Sequence, residues 1–393
     1  MSGARRPSAR ATALFRLTLT RFRSYPAVRL VCDARPVVLT GPNGAGKTNL
    51  LEAISFLSPG RGLRRAQLAD VEQRIPREAA AGGAGWDQSG WAVNAVLQGP
   101  EGEVEIGTGR EEGSPADQRA IRIDGQRVKS QAALAEHVAM VWLTPQMDRL
   151  FLEGASGRRR FLDRLVFAFD PGHAGRLNRY ERALRERARL LQEPAPDPAW
   201  LDTLEDQMAT TGVAVAAARQ ALVGRLGAAA AQAADNFPVP GLAVAGMPEE
   251  LLATGPALDA EDALRRALRS GRPADARTGG AAAGPHRSDF KVAYLAKQMP
   301  AELGSTGEQK ALLVAIVLAH ARLLAAETGR VPLLLLDEVA AHLDEGRRAS
   351  LFEAILGTGA QAWMTGTDGQ FFTPLGNRAS HFRIADSKVL PEA

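Results

Sequence analysis

The chain has 393 residues, of which 45% are hydrophobic and 23% charged, a balance typical of a soluble globular protein with one large or two smaller domains. Its apolar runs, of which Leu312–Ala326 is among the longest, are too short or too interrupted to predict a membrane span. The single cysteine, Cys32, excludes an intramolecular disulfide, favours a reducing compartment and is predicted to lie in a core strand, while the net charge of +4 is mild.

The N-terminal part alternates in the way expected for the start of an α/β unit. Apolar alternation predicts strands in Leu17–Phe22, Val28–Val31 and Val37–Leu39. The last of these is followed by a helical pattern in Asn49–Phe56. Weaker strand patterns follow in Trp91–Leu97, Glu103–Ile106, Ala120–Ile123 and Ala139–Leu143. Asp124–Gly125 predicts a hairpin turn.

From Asp148 onward the sequence pattern changes from short strands to long helices. Arg158–Gln192 and Trp200–Ala234 are long helical patterns with loop residues between them. Gly271–Pro285, rich in glycine, proline and alanine, is predicted to be a mobile connection. Strand and helix patterns then resume in Phe290–Tyr294, Leu312–Ala326, Pro332–Leu336 and Ala362–Met364. The sequence therefore predicts an α/β unit interrupted by a helical insertion.

One motif in this frame is complete. Residues 41–48 read Gly-Pro-Asn-Gly-Ala-Gly-Lys-Thr and fit the phosphate-binding pattern G-x-x-x-x-G-K-[ST]. The glycines let successive backbone N–H groups point at phosphate oxygens, and the following helix adds its positive end. Lys47 is predicted to act in catalysis at the β- and γ-phosphates of ATP, and the Thr48 hydroxyl to bind Mg²⁺. The predicted nucleotide-binding residues here are Gly41, Pro42, Asn43, Gly44, Ala45, Gly46, Lys47, Thr48 and Asn49.

A second motif lies near the C-terminus. Leu333–Leu336 is a buried-strand pattern that ends in Asp337 and Glu338, the Walker B arrangement. Asp337 is predicted to hold Mg²⁺ through its water shell, and Glu338 to polarise the attacking water as the general base. The competing interpretation is a helix N-terminus, where acidic side chains are also favoured.

The third motif separates classes of P-loop proteins. Residues 304–308 read Gly-Ser-Thr-Gly-Glu and precede a long helical pattern about thirty residues ahead of the Walker B strand, as the signature of ABC ATPases does. In that class two heads face each other, and the signature serine and glycine, here Ser305 and Gly307, cap the γ-phosphate held by the other head. Ser305 and Glu308 are also spaced as a capping box, which explains the same residues by helix capping.

Further positions are less specific. Residues 341–344, Ala-His-Leu-Asp, occupy the D-loop position, and Gln146 follows a predicted strand where a Q-loop residue would contact Mg²⁺. His286 and Arg287 fit a phosphate or partner contact and a structural turn equally well. His320 is predicted to be a packing residue in an apolar helix.

Together these motifs resemble the RecF family, bacterial recombination-repair ATPases related to SMC heads. The segments that resemble the family's motifs are spread over nearly the whole chain. They are Phe22–Tyr25, Lys47–Ala53 with Gly60-Arg61, Arg158–Asp163, Tyr180–Arg187 and Gly284–Arg287. The resemblance implies an α/β P-loop NTPase head of the ABC/SMC type, with mixed sheets, flanking helices and an inserted, mainly helical arm. We accordingly expect residues 1–147 to form the first part of the head, 148–283 the arm and 284–393 the rest of the head.

The chain departs from the family's pattern in four motifs. Ser24 stands for the asparagine of F-R-N-Y, and Ser288 for the first aspartate of G-P-H-R-D-D. Pro145-Gln-Met-Asp148 replaces P-E-D, and Ala341-His342-Leu343-Asp344 replaces S-E-L-D, which removes a D-loop hydroxyl. None of these changes falls on the Walker residues or the signature serine, so ATP binding is expected to be kept.

The resemblance also implies a function in recombinational repair, replication restart and the SOS response. ATP with Mg²⁺ would drive dimerisation of two heads on double-stranded DNA near single-strand gaps, with single-stranded DNA as a further candidate ligand. Slow, DNA-stimulated hydrolysis would release the dimer, and RecR and RecO would be the partners in recombinase loading. The implied location is cytoplasmic and nucleoid-associated, away from the membrane.

Arginine clusters are the candidate DNA contacts. Residues 1–35 hold eight arginines and one acid, and residues 149–189 hold eleven arginines and five acids. Such clusters suit a polyanion, but a helix face with internal ion pairs explains them equally well on charge alone.

Two other functions are alternatives for a chain with these motifs, a transporter motor subunit and an ATP-binding scaffold in which hydrolysis is incidental. Transporter motors have far less chain between the P-loop and the signature. Fewer than 160 residues separate Gln146 from Ser305. At about 1.5 Å per helical residue these are too few for the long coiled coil of an SMC protein, and they suit a compact arm.

Overall fold

The computed structural model describes residues 10–73, 90–99, 101–111, 118–233, 237–341 and 343–392. In chain order its strands are β1 (Arg10–Ala11), β2 (Ala13–Phe22), β3 (Tyr25–Val31), β4 (Val37–Thr40), β5 (Trp91–Gly99), β6 (Gly102–Arg110), β7 (Ala120–Ile123), β8 (Gln126–Arg127), β9 (Met140–Leu143), β10 (Pro240–Ala245), β11 (Asp289–Tyr294), β12 (Met299–Pro300), β13 (Arg330–Val331), β14 (Leu333–Leu336), β15 (Ala362–Gly366), β16 (Ser380–Ala385) and β17 (Lys388–Glu392). Its helices are α1 (Lys47–Ser55), α2 (Leu68–Val71), α3 (Leu134–His137), α4 (Ala155–Phe167), α5 (His173–Leu190), α6 (Pro198–Ala231), α7 (Met247–Thr254), α8 (Ala257–Thr278), α9 (Thr306–Thr328) and α10 (Glu345–Gly357).

The chain divides into two compact units. The first comprises Met1–Met147, Asp235–Phe237 and Ala321–Ala393, and the second comprises Asp148–Ala234 and Pro238–His320. Residues 284–320, which we expected to belong to the head, therefore pack within the second unit. The assignment of functional domains stays a prediction.

The first unit contains a sheet in the order β17-β16-β4-β15-β14-β9. The strands from β16 to β9 are parallel, and β17 pairs antiparallel at the edge. Strands β4, β14 and β15 are buried along their whole length, as expected for parallel strands covered on both faces. Because the carboxyl ends of parallel strands lie at one edge, the loops that follow these three strands leave the sheet side by side.

A second sheet of this unit is antiparallel, in the order β3-β2-β5-β6-β7-β8. Its inward side chains, among them Leu17 and Leu19, share one hydrophobic core with α1 and the parallel sheet. Gln361 is buried between the sheets, where its amide donates to the carbonyl oxygens of Leu14 and Asp33 and its own oxygen accepts the Leu14 N–H at 2.7 Å. Helix α1 packs into the same core.

Two short segments of this unit, at Asp124–Gly125 and at Cys32, lie at the ends of strands. Asp124 and Gly125 have φ values of 48° and 78° and form the predicted turn between β7 and β8. Cys32 lies one residue beyond β3 rather than within it, is half-buried, and its thiol donates to the Leu14 carbonyl oxygen. Burial raises the pKa of this thiol to about 12, which disfavours the thiolate that a reactive cysteine needs.

The second unit joins α4–α8 to a small antiparallel sheet in the order β10-β11-β12. Buried ion pairs cross its interior. Arg187 donates to Glu205 at 2.8 Å and to Asp275 at 2.9 Å, and both guanidinium contacts of Arg219 to Asp163 measure 2.8 Å. Burying a charged side chain costs much free energy unless it is paired, and Arg187 is paired with two acids. This member of the 149–189 cluster therefore has a structural role.

The helical pattern predicted for Arg158–Gln192 forms two helices, so the prediction of one was wrong. Helix α4 ends at Phe167 and α5 begins at His173. Pro171 lies in the break and explains it. Proline has no N–H to donate inside a helix, and it disfavours the helical conformation of the preceding residue.

Gly271–Pro285 is not a mobile connection over its whole length. Helix α8 continues through Gly271 and Pro273 to Thr278, and loop residues follow. The apolar face of α8 packs in the core of the unit, and the buried Asp275 binds Arg187 near the end of the helix. These tertiary contacts outweigh the low helix propensity of glycine and proline.

Helix α9 is longer than the predicted apolar run Leu312–Ala326. With a mean hydropathy of 1.7 it is long and apolar enough to cross a membrane, so the prediction that no segment reaches that length was wrong. Its most apolar window is 61% buried inside the protein, as in a core helix. His320, on this helix, is buried with Nε2 3.0 Å from the Leu165 carbonyl oxygen, which confirms the predicted packing role.

Candidate nucleotide-binding site

The loop between β4 and α1 depends on two glycines. Gly41 and Gly46 have φ values of 144° and 110°. A Cβ atom at Gly41 would lie 2.2 Å from the Ile384 carbonyl oxygen, and one at Gly46 would lie 2.6 Å from the Tyr25 hydroxyl. A larger residue fits neither the backbone conformation nor the space, so the curl of the loop requires glycine at both positions.

Helix α1 begins at Lys47 and has no side-chain cap from a described residue. The first N–H groups of a helix lack intrahelical partners, so this terminus is suited to an anion. The Lys47 ammonium folds back over the loop and donates to the carbonyl oxygens of Gly41 at 2.7 Å and Pro42 at 2.9 Å. Burial lowers the pKa of Lys47, and the carboxylates of Glu338 and Asp337 oppose this effect.

Thr48 and Asp337 meet although 289 positions separate them in the sequence. The Thr48 hydroxyl donates to Asp337 Oδ1 at 3.0 Å. Burial raises the pKa of Asp337, hydrogen bonds from Thr365 and Thr48 lower it, and the charge of Glu338 raises it again. A hydroxyl and a carboxylate are the hard oxygen ligands that Mg²⁺ prefers, so the donor set fits this ion.

Glu338 adopts a left-handed backbone conformation, with φ at 49°. Such a conformation is uncommon for a residue other than glycine. The Glu338 N–H donates to the Thr365 hydroxyl oxygen at 2.8 Å, and the Thr365 hydroxyl donates to Asp337 Oδ1 at 2.7 Å. Sequence reasoning missed Thr365, for which the available signal was its place at the end of the Ala362–Met364 strand pattern.

Gln146 is exposed and lies in a short helical turn, Pro145–Arg149, just beyond β9. It makes no hydrogen bond to Thr48 or Asp337, all three being within the described chain. Strand β9 is the parallel neighbour of β14, which brings the backbone of this turn to the same edge of the sheet. A metal contact by Gln146 stays a prediction.

A polar network that the sequence did not predict surrounds α1. Asn49 donates to the Ser24 hydroxyl at 2.9 Å and accepts from Arg64 at 2.8 Å. The fully buried Glu52 accepts two hydrogen bonds from Arg23, at 2.9 and 2.8 Å, and one from Arg64 at 3.1 Å. Ser24, the departure from the family's asparagine, therefore still contacts the P-loop helix.

The signature residues belong to the second unit and lie at the start of α9. The Ser305 hydroxyl accepts the Glu308 N–H at 3.4 Å, and a Glu308 carboxylate oxygen accepts the Ser305 N–H at 2.8 Å. The capping box is thus formed. Lys297 pairs with Glu308 and, with the Ser305 bonds, lowers the pKa of Glu308 to about 2. Ser305 is exposed and Gly307 is partly exposed.

The D-loop position connects the Walker B strand to α10. The Ala341 N–H donates to the Glu338 carbonyl oxygen at 3.1 Å. Asp344 caps α10 by accepting the Arg347 N–H at 2.8 Å. His342 lies outside the described residues.

His286 and Arg287 form a structural turn in the second unit. His286 lies 2.6 Å from the Tyr180 hydroxyl through Nδ1 and 2.9 Å from the Ala281 carbonyl oxygen through Nε2. Arg287 donates to the same Ala281 oxygen at 3.0 Å. Burial lowers the pKa of His286, which favours a neutral packing residue at this position.

Comparisons with known proteins point to one family. The family model described as the RecF/RecN/SMC N terminal domain matches residues 13–375. The DNA replication and repair protein RecF of Rhizobium leguminosarum bv. trifolii is 50% identical over 379 residues, which are 96% of this chain and 98% of that protein. RecF of Agrobacterium fabrum is 51% identical over 379 residues, again 96% of this chain and 98% of that protein.

Solved structures show the same fold. The recombination mediator protein RecF-ATP in the RecFOR pathway superposes with a TM-score of 0.82 over 99% of this chain and 100% of that one, at 21% identity. The Smc head domain of Pyrococcus furiosus with an extended coiled coil, bound to the C-terminal domain of ScpA, has a TM-score of 0.53 over 97% and 96% of the chains, at 14% identity. These likenesses confirm the predicted ABC/SMC-type head fold. The chain therefore belongs to the RecF family of DNA replication and repair proteins.

Proposed function

We propose that this chain is an ATP-dependent DNA-binding protein of recombinational repair and replication restart. The observation that carries the proposal is the hydrogen bond between Thr48 and Asp337, which joins the P-loop to the Walker B strand at one edge of the parallel sheet. The solved RecF-ATP structure, of the same fold, supports ATP as the nucleotide.

Within this proposal, residues 41–49 bind the phosphates and Thr48, Asp337 and Gln146 bind Mg²⁺. The ion neutralises phosphate charge when it is bound. Lys47 stabilises the charge that develops on the transferred phosphoryl group, and its ammonium already lies against the loop. Glu338 polarises the attacking water from its position beside Asp337.

The proposal includes a dimer of two heads joined by ATP. Ser305 and Gly307 lie at an accessible helix N-terminus, where backbone N–H groups favour a phosphate. The signature of one copy would cap the nucleotide held by the other, so each site would be complete in the dimer. Slow hydrolysis, stimulated by DNA, would then separate the heads.

Double-stranded DNA near a single-strand gap is the proposed ligand of the dimer. Arg160, Arg179 and Arg182 of the 149–189 cluster are exposed and make no ion pair with any described residue. Exposed arginines of this kind neutralise phosphates without reading sequence. RecR and RecO are the proposed partners in loading recombinase, in the cytoplasm and at the nucleoid.

Sedimentation of the purified chain, with and without ATP, Mg²⁺ and gapped duplex DNA, tests the proposal. The wild-type chain should dimerise when ATP is added, and Lys47→Met should stay monomeric because its P-loop has lost the phosphate contact. Lys388→Met makes the same change at an exposed residue of β17 and should behave like the wild type. Glu338→Gln should still dimerise while its hydrolysis rate falls at least about 100-fold.

Dimerisation and DNA binding by Lys47→Met with the same ATP dependence as the wild type would contradict the switch. Full hydrolysis by Glu338→Gln would contradict the role of this carboxylate. Full repair activity of that variant in cells would instead favour a scaffold in which hydrolysis is incidental.

A further inference from the structure

Thr365 lies between the two halves of the nucleotide site. Its strand, β15, is hydrogen-bonded to β4, which leads into the P-loop, and to β14, which leads into Walker B. The parallel register pairs Leu336 with Met364, so that the next residues, Asp337 and Thr365, stand side by side. The side chain of Thr365 is fully buried.

The single hydroxyl of Thr365 holds both Walker B acids. It donates its proton to Asp337 Oδ1 at 2.7 Å and accepts the Glu338 N–H at 2.8 Å. A hydroxyl has one proton to donate, so the two bonds run in opposite directions through the same oxygen and cannot be exchanged. The second bond anchors the N–H of Glu338, whose backbone is left-handed with φ at 49°.

The pattern of bonds on Asp337 is equally specific. Oδ1 accepts both threonine hydroxyls, from Thr48 at 3.0 Å and from Thr365 at 2.7 Å. Within the described chain Oδ2 accepts no hydrogen bond. The carboxylate is therefore held in one rotation about its side-chain bonds, with a defined oxygen directed away from the two threonines.

We propose that Thr365 is a positioning residue, which sets the Asp337 carboxylate for Mg²⁺ and the Glu338 backbone for its action on water. This inference rests on the proposed function, because it assigns Thr365 a role through the two acids. Thr365 itself contacts neither nucleotide nor metal in this role. Removing the hydroxyl should therefore weaken the Mg²⁺-dependent part of nucleotide binding and leave the P-loop contacts unchanged.

Thr365→Val and Thr365→Ser are the test variants. Valine keeps the shape and removes the hydroxyl, whereas serine keeps the hydroxyl. Thr12→Val is the matched control, because Thr12 is also a buried threonine and lies outside the site. Binding of a fluorescent ATP analogue is measured in EDTA and across a Mg²⁺ titration, and kcat and KM for ATP are measured at saturating Mg²⁺.

For Thr365→Val we expect binding in EDTA to stay within about twofold of the wild type. The Mg²⁺ concentration for half-maximal binding should rise about tenfold, the effect of losing one hydrogen bond to a charged group. The kcat should fall about tenfold or more with KM for ATP changed less than about threefold. Thr365→Ser should restore both quantities, and Thr12→Val should match the wild type.

A melting temperature lowered in Thr365→Val with an unchanged Mg²⁺ titration and kcat would show a structural threonine and overturn the inference. Failure of Thr365→Ser to restore the Mg²⁺ titration would overturn it as well. If the wild-type chain binds no ATP analogue in Mg²⁺, the proposed function fails and this inference fails with it. If the wild type binds and hydrolyses ATP while Thr365→Val is indistinguishable from it, the inference alone fails.

Discussion

Single buried polar residues in this protein differ in what they contribute. Thr365 and Gln361 each satisfy several backbone or carboxylate groups at once, so each fixes the relation between neighbouring strands. His320 instead lies in an apolar helix and makes one hydrogen bond through Nε2, while its buried Nδ1 has no partner among the described residues. A histidine in such surroundings is neutral, because a charge there would lose its hydration.

This burial predicts a pH-dependent stability. Burial lowers the pKa of His320 to about 4, below its ordinary value of 6.5. The folded chain is therefore most stable, as far as His320 is concerned, above pH 6.5. Its stability declines as the pH falls toward 4, because in this range the unfolded chain binds a proton at His320 and the folded chain does not. Between pH 7 and pH 5 we expect this residue to cost the wild type about 2 kcal/mol of unfolding free energy.

Urea unfolding of wild type and His320→Gln at both pH values measures the effect. Glutamine keeps an N–H donor for the Leu165 carbonyl oxygen but does not titrate, so His320→Gln should lose about 2 kcal/mol less than the wild type over this range. His381→Gln, at a partly exposed histidine, should follow the wild type. Equal pH dependence in wild type and His320→Gln would show that the imidazole takes up a proton as readily in the folded chain as in the unfolded chain.

The P-loop helix α1 is held at its C-terminal end by a partly buried cation, Arg119. Arg119 donates to the carbonyl oxygens of Phe56, Ser58 and Gly60 just beyond α1, and its guanidinium lies 5.2 Å from the centre of the Phe56 ring. Burial lowers the pKa of Arg119 to about 10. A cation at a helix C-terminus is favourable because the carbonyl groups there lack partners.

Arg119→Met should destabilise the first unit by about 2–3 kcal/mol, because methionine fills space but leaves several carbonyl oxygens without a donor. Arg122→Met is the matched control, three residues along on β7, where the arginine is exposed and pairs with Glu111. That substitution should change stability by less than about 0.5 kcal/mol. Urea unfolding at pH 7 compares the two variants, and equal effects would show that α1 does not need the cap.

The elements that could be predicted are those whose signal is local. The strands before the P-loop and Walker B are apolar runs, and the motifs themselves are contiguous, so β4, β14 and α1 are readable from the sequence. Strand β10 could not be predicted from the sequence because its pattern is short. It is stabilised by antiparallel pairing with β11, which lies far along the chain. Propensity also failed in α8, where core packing outweighs glycine and proline.

The candidate site divides in the same way. The P-loop and Walker B motifs can be recognised from the sequence, and they contain Lys47, Thr48 and Asp337. The structure brings the Thr48 hydroxyl to Asp337 and folds Lys47 over the loop. Glu52 lies within the family segment Lys47–Ala53, but that pattern does not name its partners. Its contacts with Arg23 and Arg64 exist because the fold places α1 against the segments before and after it. Contacts of this kind require the tertiary structure.

The 149–189 cluster divides into structural and available arginines. Arg187 is buried among acids and Arg158 pairs with Asp289 at 2.7 Å, whereas Arg179 and Arg182 stand three residues apart on the exposed part of α5. The sequence left two explanations of this cluster, internal ion pairs and binding of a polyanion. Internal ion pairs explain Arg187 and Arg158, and binding of a polyanion explains the available arginines if they bind DNA as proposed.

Charge reversal at the available pair tests this division. Arg179→Glu with Arg182→Glu should weaken binding to gapped duplex DNA and reduce the slope of log Kd against log salt by about 2, since each phosphate contact contributes about 0.9. The control is Arg266→Glu with Arg269→Glu on α8, which has the same spacing, exposure and change of net charge. Affinity measured from 50 to 200 mM salt separates a local contact from a general effect of charge. Equal weakening and equal slopes in the two double variants would mean that net charge, rather than this face of α5, governs binding, and the DNA contact would then have to be sought elsewhere on the molecule.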